Sequence, residues 1–133
     1  MVDIKAILAK QPAGVFATLD GDKVKTRVFQ HMFVEDGKVY FGTSSDKPVY
    51  EQMQKNPNIS FCTFTAEYNP VLSINGKAVF VEDLAIKKRV MDASELVKEI
   101  YKSPDNPIFK VFYIDAEEIV TFDFASGPKV EKL

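Results

Sequence analysis

The sequence predicts a mainly β chain, an antiparallel barrel with short peripheral helices. Three observations carry this. Seven short runs rich in Val, Ile, Phe, Tyr and Thr are spread along the chain, and β-branched and aromatic residues favour pleated, half-buried strands. Hairpin-type turns such as Asp20-Gly21-Asp22 and Glu35-Asp36-Gly37 join several of these runs. The few helical stretches do not alternate regularly with the strands, which argues against a doubly wound sheet.

Taken in order, residues 3 to 10 form a short helix. Asp3 caps it, and Ile4, Ile7 and Leu8 share one face. Pro12 and Gly14 end it. Residues 15 to 19 and 23 to 34 read as strands joined by the Asp-Gly turn, and 38 to 41 as the third strand of a meander. Gly42 to Lys47 then lead into a helix that ends at Asn56-Pro57, with Asp46 or Ser45 as its cap and Pro48 in its first turn. Strands follow at 58 to 65 and 71 to 81. Residues 83 to 101 read as two short helices capped by Asp83 and Ser94, and residues 108 to 114 and 118 to 124 as a last pair of strands.

Composition narrows the function. A chain of 133 residues is expected to be one domain, spanning 1–133, able to bury a core without disulfide or metal. Lys and Arg number 17 and Asp and Glu 19, a net charge of -2 with no general attraction to nucleic acid or anionic membrane. No apolar run approaches the ~18 residues of a membrane helix. The start at Met1 lacks the pattern of a signal peptide, so a reducing cytoplasm is the expected location. There is one Cys (Cys62), one His (His31) and no Trp. Cys-rich metal sites, His clusters and an intrachain disulfide are thereby excluded within one chain.

Two places could carry chemistry. On the long strand, Lys25, Arg27, Phe29, His31 and Phe33 alternate with Val24, Thr26, Val28, Gln30, Met32 and Val34. A barrel hides one face, so the face with Arg27 and the two Phe is expected to meet a helix, ligand or partner. In the loop, Thr43, Ser44, Ser45 and Lys47 precede a helix N-terminus, where free N–H groups and the helix dipole favour an anion. Ordinary capping is the alternative. An Arg27 on the strand paired with 38 to 42 would add a bidentate fork. Elsewhere, Cys62 reads as a buried core residue, Arg89 as part of a solvated helix face, and Asn75 with Lys77 as a surface ladder. His31 reads as a strand histidine bonded to backbone or water. The tail after Gly127 is expected to be mobile unless it docks.

Arg27-Val28-Phe29-Gln30, Asp36 through Lys47, Gln52 through Pro57, Ile74 through Phe80 and Asn106 through Phe112 together resemble the pyridoxamine 5'-phosphate oxidase-like family of FMN-binding split-barrel flavoproteins. The likeness runs in order over most of residues 5 to 124. It implies an antiparallel split β-barrel, a homodimer, and FMN in clefts between the subunits. Carried onto this chain, it places Arg27, Thr43, Ser44, Ser45 and Lys47 at the FMN phosphate and Val28, Phe29 and Gln30 along the isoalloxazine ring. The implied activity is oxidoreduction of a small molecule, with a nicotinamide as possible electron donor. An electron carrier or store without a dedicated substrate is the alternative. The chain lacks the Trp- and Arg-bearing C-terminal segment of the family's namesake, having no Arg after Arg89, which argues against oxidation of pyridoxamine phosphate itself.

Overall fold

The computed structural model describes residues 1–133 and arranges them as one eight-stranded antiparallel sheet with four helices around it. Helix α1 (Ile4–Lys10) is capped by Asp3, whose carboxylate accepts from the Ala6 N–H at 3.0 Å. Strands β1 (Ala13–Asp20) and β2 (Lys23–Gln30) form the first hairpin. Strands β3 (Phe33–Glu35) and β4 (Lys38–Ser44) form the second, across Asp36-Gly37. Both turn residues have positive φ, 53° and 74°, as a type I′ turn requires. Helix α2 (Pro48–Lys55), β5 (Asn58–Thr63) and β6 (Val71–Val81) follow, then α3 (Leu84–Asp92), α4 (Glu95–Tyr101), β7 (Phe109–Asp123) and β8 (Gly127–Lys132). Asp83 and Ser94 cap α3 and α4 as the sequence predicts.

The sheet order is β2-β1-β5-β6-β7-β4-β3, with β8 added to β7. Four sequence expectations change here. The run 23 to 34 is two strands, because the chain leaves the ladder at His31-Met32. The His31 N–H donates to the Pro12 carbonyl, beside β1, and the Met32 N–H donates to the Tyr40 carbonyl on β4. Arg27 therefore does not lie on a neighbour of β4: β4 pairs with β3 and β7, and β2 with β1 alone. Residues 109 to 123 form one strand rather than two, since a bulge opposite Asn75/Gly76 absorbs the polar stretch Asp115 to Glu117. Finally, the C-terminal residues are the ordered strand β8, paired with β7 from Glu118 to Asp123.

The barrel interior is aromatic. Phe16, Phe41, Phe61 and Phe112 are fully buried. Phe29 of β2 packs 6.1 Å from Phe41 and 6.4 Å from Phe112 between ring centroids. The seam between β2 and β4 is thus filled by side chains instead of a hydrogen-bonded ladder. A second cluster, with Tyr40, Val90, Met91, Tyr101 and Phe109, fixes α3 and α4 on the outside of β4 and β7. Gly42 allows this: a Cβ there would stand 3.2 Å from Val90 and 3.3 Å from Phe109. No helix is long and apolar enough to cross a membrane.

Candidate functional site

Side-chain alternation turns Phe29 and Arg27 of β2 towards the interior, and leaves Val24, Thr26, Val28 and Gln30 exposed. The face that the sequence expected to need a partner is the inner one, because Phe29 completes the core at the seam. Val28 and Gln30 therefore present no inward side chain. What β2 offers near them is its free edge, whose unpaired N–H and C=O groups are available to another polar group.

Arg27 is half-buried and bonded only to neutral groups. Its Nη1 donates to the Thr18 hydroxyl at 2.7 Å and to the Phe16 carbonyl at 3.2 Å, and its Nη2 donates to Gln52 Oε1 at 2.9 Å. Burial pushes its pKa down from the ordinary value. Thr18 was not singled out in the sequence, and Gln52 entered only as the first residue of a segment that carries the resemblance, with no role assigned. Their signals are positional: Thr18 lies on the inward alternation of β1 with Gly14 and Phe16. Gln52 stands beside Met53 and one turn after Val49, the two buried residues of α2.

Thr43 lies across the seam from β2, at the same barrel end as Arg27. The strands alternate in direction along the sheet, so β2 and β4 run opposite ways. Stepping back from Phe29 to Arg27 and forward from Phe41 to Thr43 moves in the same direction along the barrel. Phe29 and Phe41 are packed together, so Arg27 and Thr43 stand at the same end, beyond them. Residues 41 to 44 have no partner on their β3 side, since β3 pairs only with 38 to 40. Thr43 is 1% exposed, and its Oγ1 is a buried polar atom without a hydrogen-bond partner.

The rest of the loop is only partly committed. Ser44 is buried and donates to Asp46 Oδ1 at 2.6 Å. Asp46 is thereby occupied and does not cap α2, contrary to expectation; nor does Ser45, whose N–H donates to the Ile108 carbonyl. The cap position falls on Lys47, which makes no side-chain capping bond. The Lys47 side chain is exposed.

The remaining singled-out residues lie elsewhere. His31 is half-buried, with Nδ1 3.2 Å from the Pro12 carbonyl. Burial pushes its pKa down, against a smaller upward pull from that carbonyl. Cys62 is not a core residue, because the inward positions of β5 are Ile59, Phe61 and Thr63 and Cys62 falls between them on the outer face. Arg89 is not merely solvated: it pairs with Glu35 at 2.8 Å and lies 4.0 Å from the centre of the Phe33 ring. Asn75 bridges Ser60 and Glu118, and Lys77 pairs with Glu117, a surface ladder as predicted.

Three side chains without acidic partners thus stand at the barrel end covered by α2: the Arg27 guanidinium, the orphan Thr43 hydroxyl and the exposed Lys47 ammonium. As a donor set this suits a multiply charged anion such as a phosphate ester. It fits the phosphate of FMN, with the free edge of β2 alongside for a polar ring.

Comparison with known proteins agrees with this fold. The chain is similar to a NimC/NimA family protein from Clostridium acetobutylicum, with 24% identity over 95% of this chain and 88% of that one, and a TM-score of 0.83. It is similar to General Stress Protein 26 from Bacillus anthracis, with 22% identity over 98% and 95% of the two chains and a TM-score of 0.83. A heme binding protein from Mycobacterium smegmatis matches at 16% identity, over 96% of this chain and 55% of that one, with a TM-score of 0.80. No curated protein matches the sequence. The family model described as pyridoxamine 5'-phosphate oxidase matches residues 3–123, and the chain belongs to that family, as a split barrel.

Proposed function

We propose that this protein binds FMN and uses it in oxidoreduction of a small molecule, as a homodimer. The observation that carries the reading is the half-buried Arg27, free of any carboxylate, at the same barrel end as the unpartnered Thr43 hydroxyl. A buried polar atom without a partner is costly, and a phosphate oxygen would satisfy it. Arg27 and Thr43 would hold the phosphate from opposite sides of the seam, and Lys47 would close over it from the loop. The Val28–Gln30 edge would offer main-chain donors and acceptors to the ring, while Phe29, locked in the core, keeps that edge in place.

Bound FMN supplies hydride and electron transfer, which no protein side chain offers. The chain's own part is to anchor, to orient and to exclude water. Exclusion of water is assigned to a second copy, seated on the outer sheet face beside β2. There Val28, Val15, Cys62, Ser73, Val120 and Val130 stand opposite one another in register across six strands. Val28 is 70% and Val130 58% exposed, and an apolar row of this extent marks an interaction surface.

A haem is the second reading, favoured by one observation. His31 Nδ1 lies against the Pro12 carbonyl, which leaves Nε2 as the free nitrogen, the arrangement of a ligating histidine. One spectrum separates the two. The purified protein is expected to show flavin bands, and bleaching by a reduced nicotinamide followed by turnover of an acceptor marks an enzyme over a carrier. Arg27→Ala and Lys47→Ala should each strip most of the FMN, since charge-assisted hydrogen bonds contribute about 1.5–3 kcal/mol. If both variants stay fully yellow, the phosphate site is misplaced.

A further inference from the structure

The group that holds Arg27 is an amide where a carboxylate would fit. Gln52 Oε1 accepts from Arg27 Nη2 at 2.9 Å and from the Thr18 hydroxyl at 2.6 Å, while Thr18 accepts from Arg27 Nη1 at 2.7 Å. One oxygen therefore fixes both the guanidinium and the hydroxyl that steadies it, and ties α2 to β1 and β2. Of the five N–H donors of a guanidinium, those on Nη1 are engaged by Thr18 and Phe16. The Nε–H has no acceptor within the chain, and Nη2 has one proton to spare. These lie on one edge of the guanidinium plane, the edge that takes phosphate or carboxylate oxygens.

A glutamate at position 52 would match glutamine in length and place an oxygen at the same point. It would make stronger, charge-assisted bonds to Arg27. It would also cancel the charge: a carboxylate this close satisfies the guanidinium internally, and an incoming anion would then meet like charge at short range. With an amide, the orientation is kept and the full positive charge remains. No acidic group contributes to the pKa of Arg27, which burial alone lowers.

We infer that Gln52 is the positioning residue of the anion site: it fixes the Arg27 fork with a neutral oxygen, so that the site selects a phosphorylated flavin over its dephosphorylated form. This rests on the FMN reading above. A merely structural role for Gln52 makes the opposite prediction, since glutamate would hold Arg27 at least as firmly.

The test compares FMN with riboflavin, which lacks the phosphate, by equilibrium flavin-fluorescence titration of the intact protein and its Gln52→Glu variant. Wild type is expected to prefer FMN. Gln52→Glu should reduce FMN affinity by about ten- to hundredfold, the value of a lost charge-assisted bond, with riboflavin affinity unchanged. Its thermal unfolding should occur at or above the wild-type temperature, which separates loss of charge from loss of fold. A wild-type preference for FMN that survives Gln52→Glu overturns this inference alone. A wild type that binds riboflavin as well as FMN overturns the reading of the site, and this inference with it.

Discussion

At the scale of single residues, the site is built from groups left incompletely satisfied. Leaving a buried hydroxyl unpaired costs about 1–3 kcal/mol, and Thr43 carries such a hydroxyl in the free chain. Thr43→Val keeps the shape and removes the unpaired group. It should raise the stability of the flavin-free protein by about 1 kcal/mol in urea unfolding, while FMN binding weakens. Stability and binding moving together would show that the hydroxyl serves packing alone. Arg27 and Thr43 were legible in the sequence, because a scarce Arg and a hydroxyl-rich loop before a helix are local signals. Gln52 and Thr18 were not. Each is an ordinary polar residue in its own element, and their meeting depends on how α2 docks against β1.

Among the elements, the hairpins and helices were legible because turn chemistry and the Asp3, Asp83 and Ser94 caps are local, although the expected cap of α2 was not realised. The breaks in the ladder were not. No Pro or Gly in Gln30-His31-Met32-Phe33 marks a strand end; the strand ends there because its two halves find different partners, β1 and β4. Conversely, Asp115 to Glu117 look like a turn yet remain in β7, since a bulge lets polar side chains point to solvent. Gly76 holds that bulge together. A Cβ at this position would stand 2.1 Å from the Asp115 carbonyl oxygen and 2.9 Å from the Ala116 Cα, and backbone on a central pair of strands has little room to move. Gly76→Ala should therefore destabilise the protein by about 3 kcal/mol or more, beyond the usual overpacking of a core. Thermal unfolding measures it, and a variant that melts like wild type would mean β6 and β7 can separate locally at little cost.

For the whole molecule, the main asymmetry lies between the faces of the sheet. The inner face and the outside of β4 are buried, by the aromatic core and by α3 and α4, whereas the Val28–Val15–Cys62 side is bare. In a two-fold dimer every contact occurs twice, so Val28→Lys would place two buried cations at the interface. It should shift the protein to monomer in light scattering and lower FMN affinity with it. A dimer that persists would relocate the interface away from this face. Fold class was legible at this scale, since strand number and turns already pointed to a barrel. The bare face was not, because β2 reverses the usual pattern: Val24 and Val28 lie on its outer side, while Arg27 and Phe29 turn inward.

The seam at His31-Met32 also bears on how the chain folds. Gln30 and Phe33 are close in sequence yet stand on strands at opposite ends of the sheet order. The β1–β2 and β3–β4 hairpins each close over a two-residue loop, and such hairpins form in about 1–10 μs. Once both exist, the two residues between them already hold the future rims of the barrel side by side. With β2 and β3 held together by this link, the long-range pairings of β5, β6 and β7 bridge two edges that are already neighbours, which lowers the loop-closure entropy of joining them. A topology that looks non-local in the sheet order thus has the hairpins at its two ends in one contiguous quarter of the chain.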